Sequence, residues 1–504
     1  MQKTTEDKYL KLKSGTDIRG VAVETETEAV ELTDETVYNI CLAFAKWYKE
    51  KFGRKLGIIA IGHDSRISAE RISSAAISAF SDCGCTIYNF GLASTPAMFM
   101  STVLEFDGVK ADAALEITAS HHPYQRNGLK FFTSDGGLEG SDVKDILKLA
   151  ANISSDSTEK GDVFDYPFMD DYSAHLRNII IKEVDNGDKP LTGLKISVDA
   201  GNGAGGFYAE KVLAPLGADV RGSQFLEPDG MFPNHIPNPE NKAAIKAASY
   251  MVINSKSDLG LIFDTDVDRA ACVSSNGKEI NRNRLVALAS LIALEKNEGG
   301  VVVTDSLTSD GLRDFIENKL GGRQLRFKRG YKNVIDKAVE LNSGGVNSPL
   351  AIETSGHAAL KENYFLDDGA YLATKIVCLL AKLKKQGRDV NELISDLKEP
   401  AESTEVRLPI LLDDFKAYGE NVISELTAYA AARDGFELEK ENYEGVRINI
   451  EGGWFLLRLS VHDPILPLNI ENDNEGVCKE ILRELKAFFA KFDKLDLSGF
   501  DKVL

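Results

Sequence analysis

Three times along this chain a short apolar run gives way to an amphipathic stretch and then to another apolar run, and that rhythm constrains the fold more than any single residue does. LGIIAIGHD (56–64) precedes ERISSAAISAFSDCG (70–84), TIYNFG precedes TPAMFMSTVLEF, and ADAALEIT leads into a polar loop. Short apolar runs bounded by turn residues read as buried strands, and the amphipathic stretches between them as helices laid across a sheet. The rhythm returns after about residue 190, where LKISVDA comes before GAGGFYAEKVLAPLG and DLGLIFD comes before AACVSS and RNRLVALASLIALEK. It returns again near residue 300 with VVVTDS, a helix through LRDFIENKL, LRFK, a helix from Tyr331, PLAIE and a long helix from Asp368. After Pro400 the pattern changes to a strand STEVRLPI, a helix through Ser424–Arg433, strands VRINI and WFLLRLSV, and a last helix from Glu475. The reading is an α/β fold of three similar mixed α/β domains, 1–189, 190–297 and 298–398, followed by an α+β domain, 399–504. A chain of 504 residues is in any case too long for a single core.

Composition narrows the function classes. The formal charge of −19 argues against nonspecific nucleic-acid binding, and an anionic ligand must meet a local basic pocket. No apolar run is long enough to cross a bilayer, and MQKTTEDKYLKLKSG lacks the apolar middle of a secretory signal, so a cytoplasmic protein is expected. Six cysteines, at 41, 83, 85, 272, 378 and 478, sit in apolar segments without zinc or redox spacing and read as buried thiols.

Four stretches carry chemistry. In LGLIFDTDVDRAACVSS, Asp264, Asp266 and Asp268 follow an apolar strand at a spacing of two and Arg269 follows them. Three carboxylates on one loop repel unless a hard divalent cation or a guanidinium compensates. An EF-hand is excluded, because its glycine position holds Arg269 and its final glutamate position holds Ser275. In TASHHPYQRNGLK (118–130), Ser120, His121, His122 and Lys130 could form a nucleophile with its base, a metal site or only a polar turn. Metal ligation by both histidines is disfavoured, since neighbours on an extended loop point apart. AIETSGHAAL offers Glu353, Ser355 and His357, a set suited to sugar hydroxyls or to a capped turn, with Arg329 and Lys332 just upstream. FLLRLSVHDP puts Arg458, Ser460 and His462 on a strand and the loop after it, where they could clamp a phosphate.

Two further stretches read as scaffold. Gly201, Gly203 and Gly206 satisfy G-x-G-x-x-G, but no acidic residue closes the next strand, so a glycine-rich turn is favoured over a dinucleotide site. PDGMFPNHIPNPE (228–240) reads as a connector.

Taken in order, SGTDIRG, GHDSRIS, TASHHPYQRNGLK, DTDVDR, ETSGH and the tail loop resemble the α-D-phosphohexomutases, in particular the phosphoglucomutase/phosphomannomutase branch, over essentially the whole chain. The resemblance implies four domains around a central active-site cleft. It makes Ser120 a phosphoserine, and gives Mg²⁺ to Asp264, Asp266, Asp268 and the serine's phosphate. It assigns proton transfer to Lys130 and His357, with Arg19, His121 and Arg269 beside the moving phosphoryl group. Glu353, Ser355, Arg329 and Lys332 then bind the sugar end, and Arg458, Ser460, His462 and Asn469 the substrate's own phosphate. The activity implied is interconversion of hexose 1-phosphate and hexose 6-phosphate through a hexose 1,6-bisphosphate, in a monomer or homodimer with no nucleic-acid or membrane partner. A phosphoglucosamine mutase, or a sugar-phosphate-binding regulator without turnover, are the alternatives. This chain departs from the family pattern at His122, where asparagine is usual, and in the tail, where Pro467 stands in place of a second cation.

Overall fold

The structure, a computed structural model, describes residues 5–154, 160–460 and 463–504, and its contacts divide the chain into two compact units. The first contains Met1–Asn281, Ser355–Ala358 and Leu366–Glu392, and the second the remainder.

The first unit holds two sheets. In the larger, the strands run in the order Lys13–Ser14, Asp17–Val21, Arg126–Thr133, Ala113–Ile117, Ile58–His63, Thr86–Leu92, Val163–Asp165. Ile58–His63 pairs in parallel with both its neighbours, whereas Ala113–Ile117 and Arg126–Thr133 are antiparallel, so the sheet is mixed. Ser120 rides on the loop joining those two antiparallel strands. Helix Asp34–Phe52 covers one face: Thr33 caps its start by accepting from the Thr36 amide at 3.1 Å, and Gly53, at φ 67°, ends it in a left-handed turn that glycine adopts freely. Its Phe44 stacks on Phe131 of the sheet, 4.2 Å between ring centroids, within a core that also takes in Phe80, Ile59 and Leu115.

The second sheet orders Glu279–Ile280, Ala270–Ser274, Leu259–Phe263 and Ile196–Asp199. Every residue of Leu259–Phe263 and of Ala270–Ser274 is buried, and the two pair antiparallel from Phe263↔Ala270 outward. The aspartate loop is therefore a tight hairpin connection projecting from a rigid ladder. Val267 at its tip has φ 66°, a conformation costly for a β-branched residue by about 1–3 kcal/mol. Gly369 holds it there, donating its amide to the Val267 carbonyl at 3.1 Å, and a Cβ at 369 would lie 2.6 Å from the Arg269 backbone.

In the second unit, strands Arg323–Arg326, Val301–Thr304, Leu350–Ile352 and Ala358–Leu360 form one sheet, with the first three parallel. The C-terminal sheet orders Glu402–Pro409, Ile465–Asn472, Gly453–Leu457, Val446–Ile450 and Glu437–Leu438, antiparallel throughout, with helices Lys416–Ala431 and Val477–Phe489 packed on it around Phe455, Leu468 and Phe489. Two expectations need correction here. Arg458 and Ser460 do not lie on a strand, which ends at Leu457. The reason is Pro467 opposite Arg458: it accepts the Arg458 amide at 3.1 Å but has no N–H to return. The helix expected from Glu475 begins at Val477 after Gly476 at φ 88°, and a short helix, Ser498–Asp501, follows it. Of the six cysteines, five are buried as expected and Cys83 is half-buried. Among the described residues no helix is long and apolar enough to cross a membrane.

Candidate active site

Ser120 has φ 50°, an unusual conformation for serine, and its surroundings fix it there. Its amide donates to Thr118 Oγ1 at 2.9 Å, and that hydroxyl donates to Asp64 Oδ2 at 2.7 Å. Buried Arg66 pairs with Asp64 at 3.1 Å and donates to the carbonyls of Ser120, of His122 at 2.7 Å, of Pro123 at 2.8 Å and of Arg126 at 2.9 Å. Buried loop carbonyls need donors, and one guanidinium serves four of them. Both side chains of the Asp64–Arg66 pair are fully buried, so removing either leaves an uncompensated charge.

The Ser120 hydroxyl is poised between a guanidinium donor and a carboxyl acceptor. Arg269 Nη2 donates to Oγ at 3.0 Å, and Oγ donates to Asp264 Oδ2 at 3.2 Å. Arg269 also binds Asp264 through Nε at 2.9 Å and donates to His121 Nδ1 at 2.7 Å. An imidazole nitrogen that accepts from a guanidinium is unprotonated. Burial first, and then Arg269, accordingly push the His121 pKa down to about 2. His122 is also held neutral, at about 4, by burial and by Arg19 and Arg66. The two rings do not point apart as an extended loop requires: the left-handed turn at Ser120 brings their centroids to 5.3 Å.

Opposite the serine, ligand oxygens of Asp264, Asp266 and Asp268 lie within 4.8 Å of one another, all three residues buried. Thr95 Oγ1 donates to Asp266 at 2.5 Å and Lys130 Nζ to Asp268 Oδ2 at 2.9 Å, yet the other oxygen of each, Asp266 Oδ1 and Asp268 Oδ1, is buried without a hydrogen-bond partner. Burial and the neighbouring Asp268 raise Asp264 far above the carboxylate range, whereas Lys130, His357 and Arg269 overcome burial to hold Asp268 well below it. Orphaned acceptors in a crowded carboxylate set fit a hard divalent cation, which takes oxygen ligands and relieves that repulsion.

His357 Nδ1 lies 2.6 Å from Asp367 Oδ2 and 3.7 Å from Asp268 Oδ1. Against the effect of burial, these carboxylates raise its pKa to about 9, so it is an imidazolium at neutral pH. Gly356 turns the loop that carries it, at φ 99° against the Ala270 carbonyl. Arg19 pairs with Asp17 at 2.8 Å, and buried Ser355 lies two residues before His357.

Sequence reading missed several members. Arg66, Thr95 and Thr118 are polar residues with partners in distant segments, and Asp367 meets His357 from the far side of the same loop region. Glu116 is fully buried directly across the ladder from Lys130, with neither carboxyl oxygen hydrogen-bonded. Burial, with Asp64 and Asp266 nearby, keeps it a neutral acid. A glutamate within the apolar run ADAALEIT was the available signal.

The remaining expected residues belong to the second unit. Glu353 accepts from the Gly330 amide at 2.6 Å, fixing the turn that holds Arg329, whose amide donates to Glu444 at 3.2 Å. Lys332 pairs with Asp336 at 2.8 Å on the following helix. Arg458 is half-buried, and Ser460 Oγ accepts from the Asp463 amide at 3.3 Å. Asn469 donates to Glu405 at 3.1 Å. His462 lies outside the described residues.

Family models for phosphoglucomutase/phosphomannomutase alpha/beta/alpha domains I, II and III match residues 11–157, 170–277 and 281–400. A phosphomannomutase/phosphoglucomutase of Pseudomonas aeruginosa is 30% identical, with 94% of this chain and 93% of that protein covered. A Neisseria meningitidis phosphoglucomutase is 29% identical over 94% of this chain and 95% of its own. The crystal structure of a phosphoglucomutase/phosphomannomutase family protein from Burkholderia thailandensis superposes with a TM-score of 0.79 at 26% identity, covering 96% of this chain and 98% of its own. The chain belongs to the phosphoglucomutase/phosphomannomutase family of α-D-phosphohexomutases, three α/β/α domains followed by a further C-terminal sheet domain.

Proposed function

We propose that this phosphomutase interconverts hexose 1-phosphates and hexose 6-phosphates, with Ser120 as the phosphoryl carrier. The observation that carries the reading is the Ser120 hydroxyl held between Arg269 and Asp264, beside two buried aspartate oxygens that receive no hydrogen bond. Asp264, Asp266 and Asp268, with the phosphate on Ser120, hold Mg²⁺, which supplies charge neutralisation for the transferring phosphoryl group.

In the forward half-reaction, the bond between Ser120 Oγ and phosphorus breaks as a free sugar hydroxyl forms a new bond to phosphorus. Arg269 stabilises the charge that builds on Oγ, and the sugar hydroxyl loses its proton to a neighbouring group. Lys130 and His357, fixed by Asp268 and Asp367, assist proton transfer: the sugar hydroxyl gives its proton to the Lys130 amine in its unprotonated form, and the His357 imidazolium is the acid that returns a proton to the departing Ser120 Oγ. His121, neutral and bonded to Arg269, orients the guanidinium on Oγ. The product of this step is a hexose 1,6-bisphosphate, which turns over and returns its other phosphoryl group to Ser120. Arg19 assists at the transferring phosphate. Glu353 and Ser355 read the sugar hydroxyls, while Arg329, Lys332, Arg458, Ser460, His462 and Asn469 bind the sugar end and its non-reacting phosphate. The enzyme works in the cytoplasm on small-molecule hexose phosphates, as a monomer or homodimer.

Initial rates with glucose 1-phosphate and mannose 1-phosphate, each with catalytic hexose 1,6-bisphosphate and Mg²⁺, test the proposal. Turnover of either supports it, and failure of both and of glucosamine 1-phosphate contradicts it.

A further inference from the structure

The connector 228–240 and the glycine turn 201–206 take no part in the steps above, yet both touch the groups that hold Ser120. The connector reaches two arginines. At one end, Gly230 packs so closely on the 65–67 backbone that a Cβ would lie 2.4 Å from the Ile67 amide. The ring of Phe232, itself at φ 50°, lies 5.4 Å from the Arg66 guanidinium, which gathers the carbonyls of the serine loop. At the other end, Asn238 Oδ1 accepts from Arg269 Nη1 at 3.3 Å, and Arg269 is the cation on Ser120 Oγ.

The middle of the connector is anchored in the second sheet. His235, buried, places Nε2 at 3.0 and 3.1 Å from the two oxygens of Asp199 and Nδ1 at 3.0 Å from the Ile236 carbonyl, so both ring nitrogens face acceptors. Asp199 also takes the Gly201 amide at 3.0 Å and the Gln224 amide group at 2.8 Å. Asn202 in the glycine turn donates to the Glu227 carbonyl at 2.9 Å, accepts from Asn234 at 2.8 Å, and through its carbonyl takes the Asp229 amide at 2.9 Å. Gly201 and Gly203 have no room for side chains: a Cβ on the first would meet Pro237 at 2.8 Å, and on the second the Thr265 backbone of the aspartate loop at 2.6 Å. The bonds from His235 to Asp199 and from Asn234 and Asp229 to Asn202, with Gly201 packed on Pro237, make the connector a fixed brace across its anchor, with its two ends on the two arginines that bracket the serine.

We infer that the 228–240 connector, clasped to Asp199 through His235, is the positioning element of the phosphoryl-transfer cradle: it sets Arg66 and Arg269, and through them the Ser120 loop. Asn238 and His235 are positioning residues, since neither touches a reacting atom. The inference rests on the proposed function for its kinetic consequence and on geometry alone for its effect on the serine loop.

The test uses the full chain with Asn238→Ala, His235→Ala and His235→Gln, the last keeping one N–H for Asp199. Two readouts are taken: amide hydrogen exchange in a peptide covering 118–126, measured without substrate, and kcat and KM with the sugar 1-phosphate the wild type turns over. The expectation is that Asn238→Ala speeds exchange in the serine loop about tenfold and lowers kcat about 10- to 100-fold with KM within threefold, as loss of an orienting contact to a transition-state donor does. His235→Ala, where it folds, acts in the same direction, and His235→Gln recovers part of kcat. Unchanged exchange in Asn238→Ala overturns the inference, and so does a kcat within twofold of wild type in an active enzyme. If the wild type turns over no hexose phosphate, the functional proposal fails, and the exchange arm alone still decides whether the connector sets the serine loop.

Discussion

Two buried charge clusters, one in each unit, are built from the same residue types and left unbalanced in opposite ways. Around Ser120 the buried carboxyl oxygens left without a hydrogen bond are one each of Asp266 and Asp268 and both of Glu116. In the second unit, Arg326 and Arg447 converge on Asp310 at 2.6 and 3.1 Å, with Glu439 beside Arg326 at 3.6 Å, and there the unmet atoms are donors, Arg326 Nη1 and Arg447 Nε. Arg447 compensates by stacking on Trp454, 3.6 Å from its ring centroid, and by donating to the Ser306 carbonyl at 3.0 Å. Leftover acceptors around a serine call for a cation and a phosphoryl group. Leftover donors lying flat on an indole and tied to backbone need no ligand. The first cluster is chemistry, and the second is a joint between the third sheet and the C-terminal sheet.

The sharpest way to break this contrast is at the serine. Ser120→Ala lowers kcat by about ten-thousand-fold or more, as loss of a covalent carrier does, with the melting temperature nearly unchanged. Steady-state kinetics and thermal unfolding on the same preparation check it. Arg447→Met reverses the pattern, costing about 1–3 kcal/mol because the Ser306 carbonyl loses its buried donor and exposed Asp310 loses one of its two guanidinium partners, while kcat per folded molecule stays within about threefold. Denaturant unfolding with an active-site titration separates the two effects, and a collapse of kcat without loss of stability contradicts the assignment as a joint.

With Mg²⁺ held as proposed, the wild type gains melting temperature on Mg²⁺ addition, and Asp266→Asn abolishes that gain and lowers kcat about 100-fold, since a ligand stabilises only the state that binds it. A melting series over Mg²⁺ concentration reads this directly. The smallest effect lies in the second cluster. Burial raises Glu471 from 4.5 to about 7, against the pull of Trp454 and Arg447, so folding takes up a proton between those pH values. Stability therefore falls as pH rises through that window and levels above it. Glu471→Gln still accepts from Trp454 and removes the slope, which is worth about 1.4 kcal/mol per pH unit. Unfolding free energies of both proteins from pH 5 to pH 8 test it, and parallel curves contradict it.

What could be read from the sequence was whatever lies close together along it. The alternation of apolar runs and amphipathic stretches marks the α/β units, and the spacing of Asp264, Asp266 and Asp268 marks the crowded loop, because both are local patterns. What escaped is long-range. Arg66 reads as one more charged residue until folding brings it against carbonyls more than fifty positions away. Glu116 is a lone acid in a strand until Lys130 is placed across from it. The strand through Arg458 was overextended because an alternation pattern cannot register that Pro467 on the facing strand lacks a donor. The glycine turn looked like a nucleotide motif because close backbone approach demands glycine whether the neighbour is a pyrophosphate or, as here, the backbone of Thr265.

The central claim is that Ser120 carries the phosphoryl group, and intact-mass analysis of the protein after incubation with a hexose 1,6-bisphosphate tests it most directly. The account predicts a species heavier by one phosphoryl group, mapping to Ser120, absent from Ser120→Ala and discharged by hexose 1-phosphate. A wild type that stays unmodified while turning over substrate, or a phosphoryl group that persists in Ser120→Ala, contradicts it.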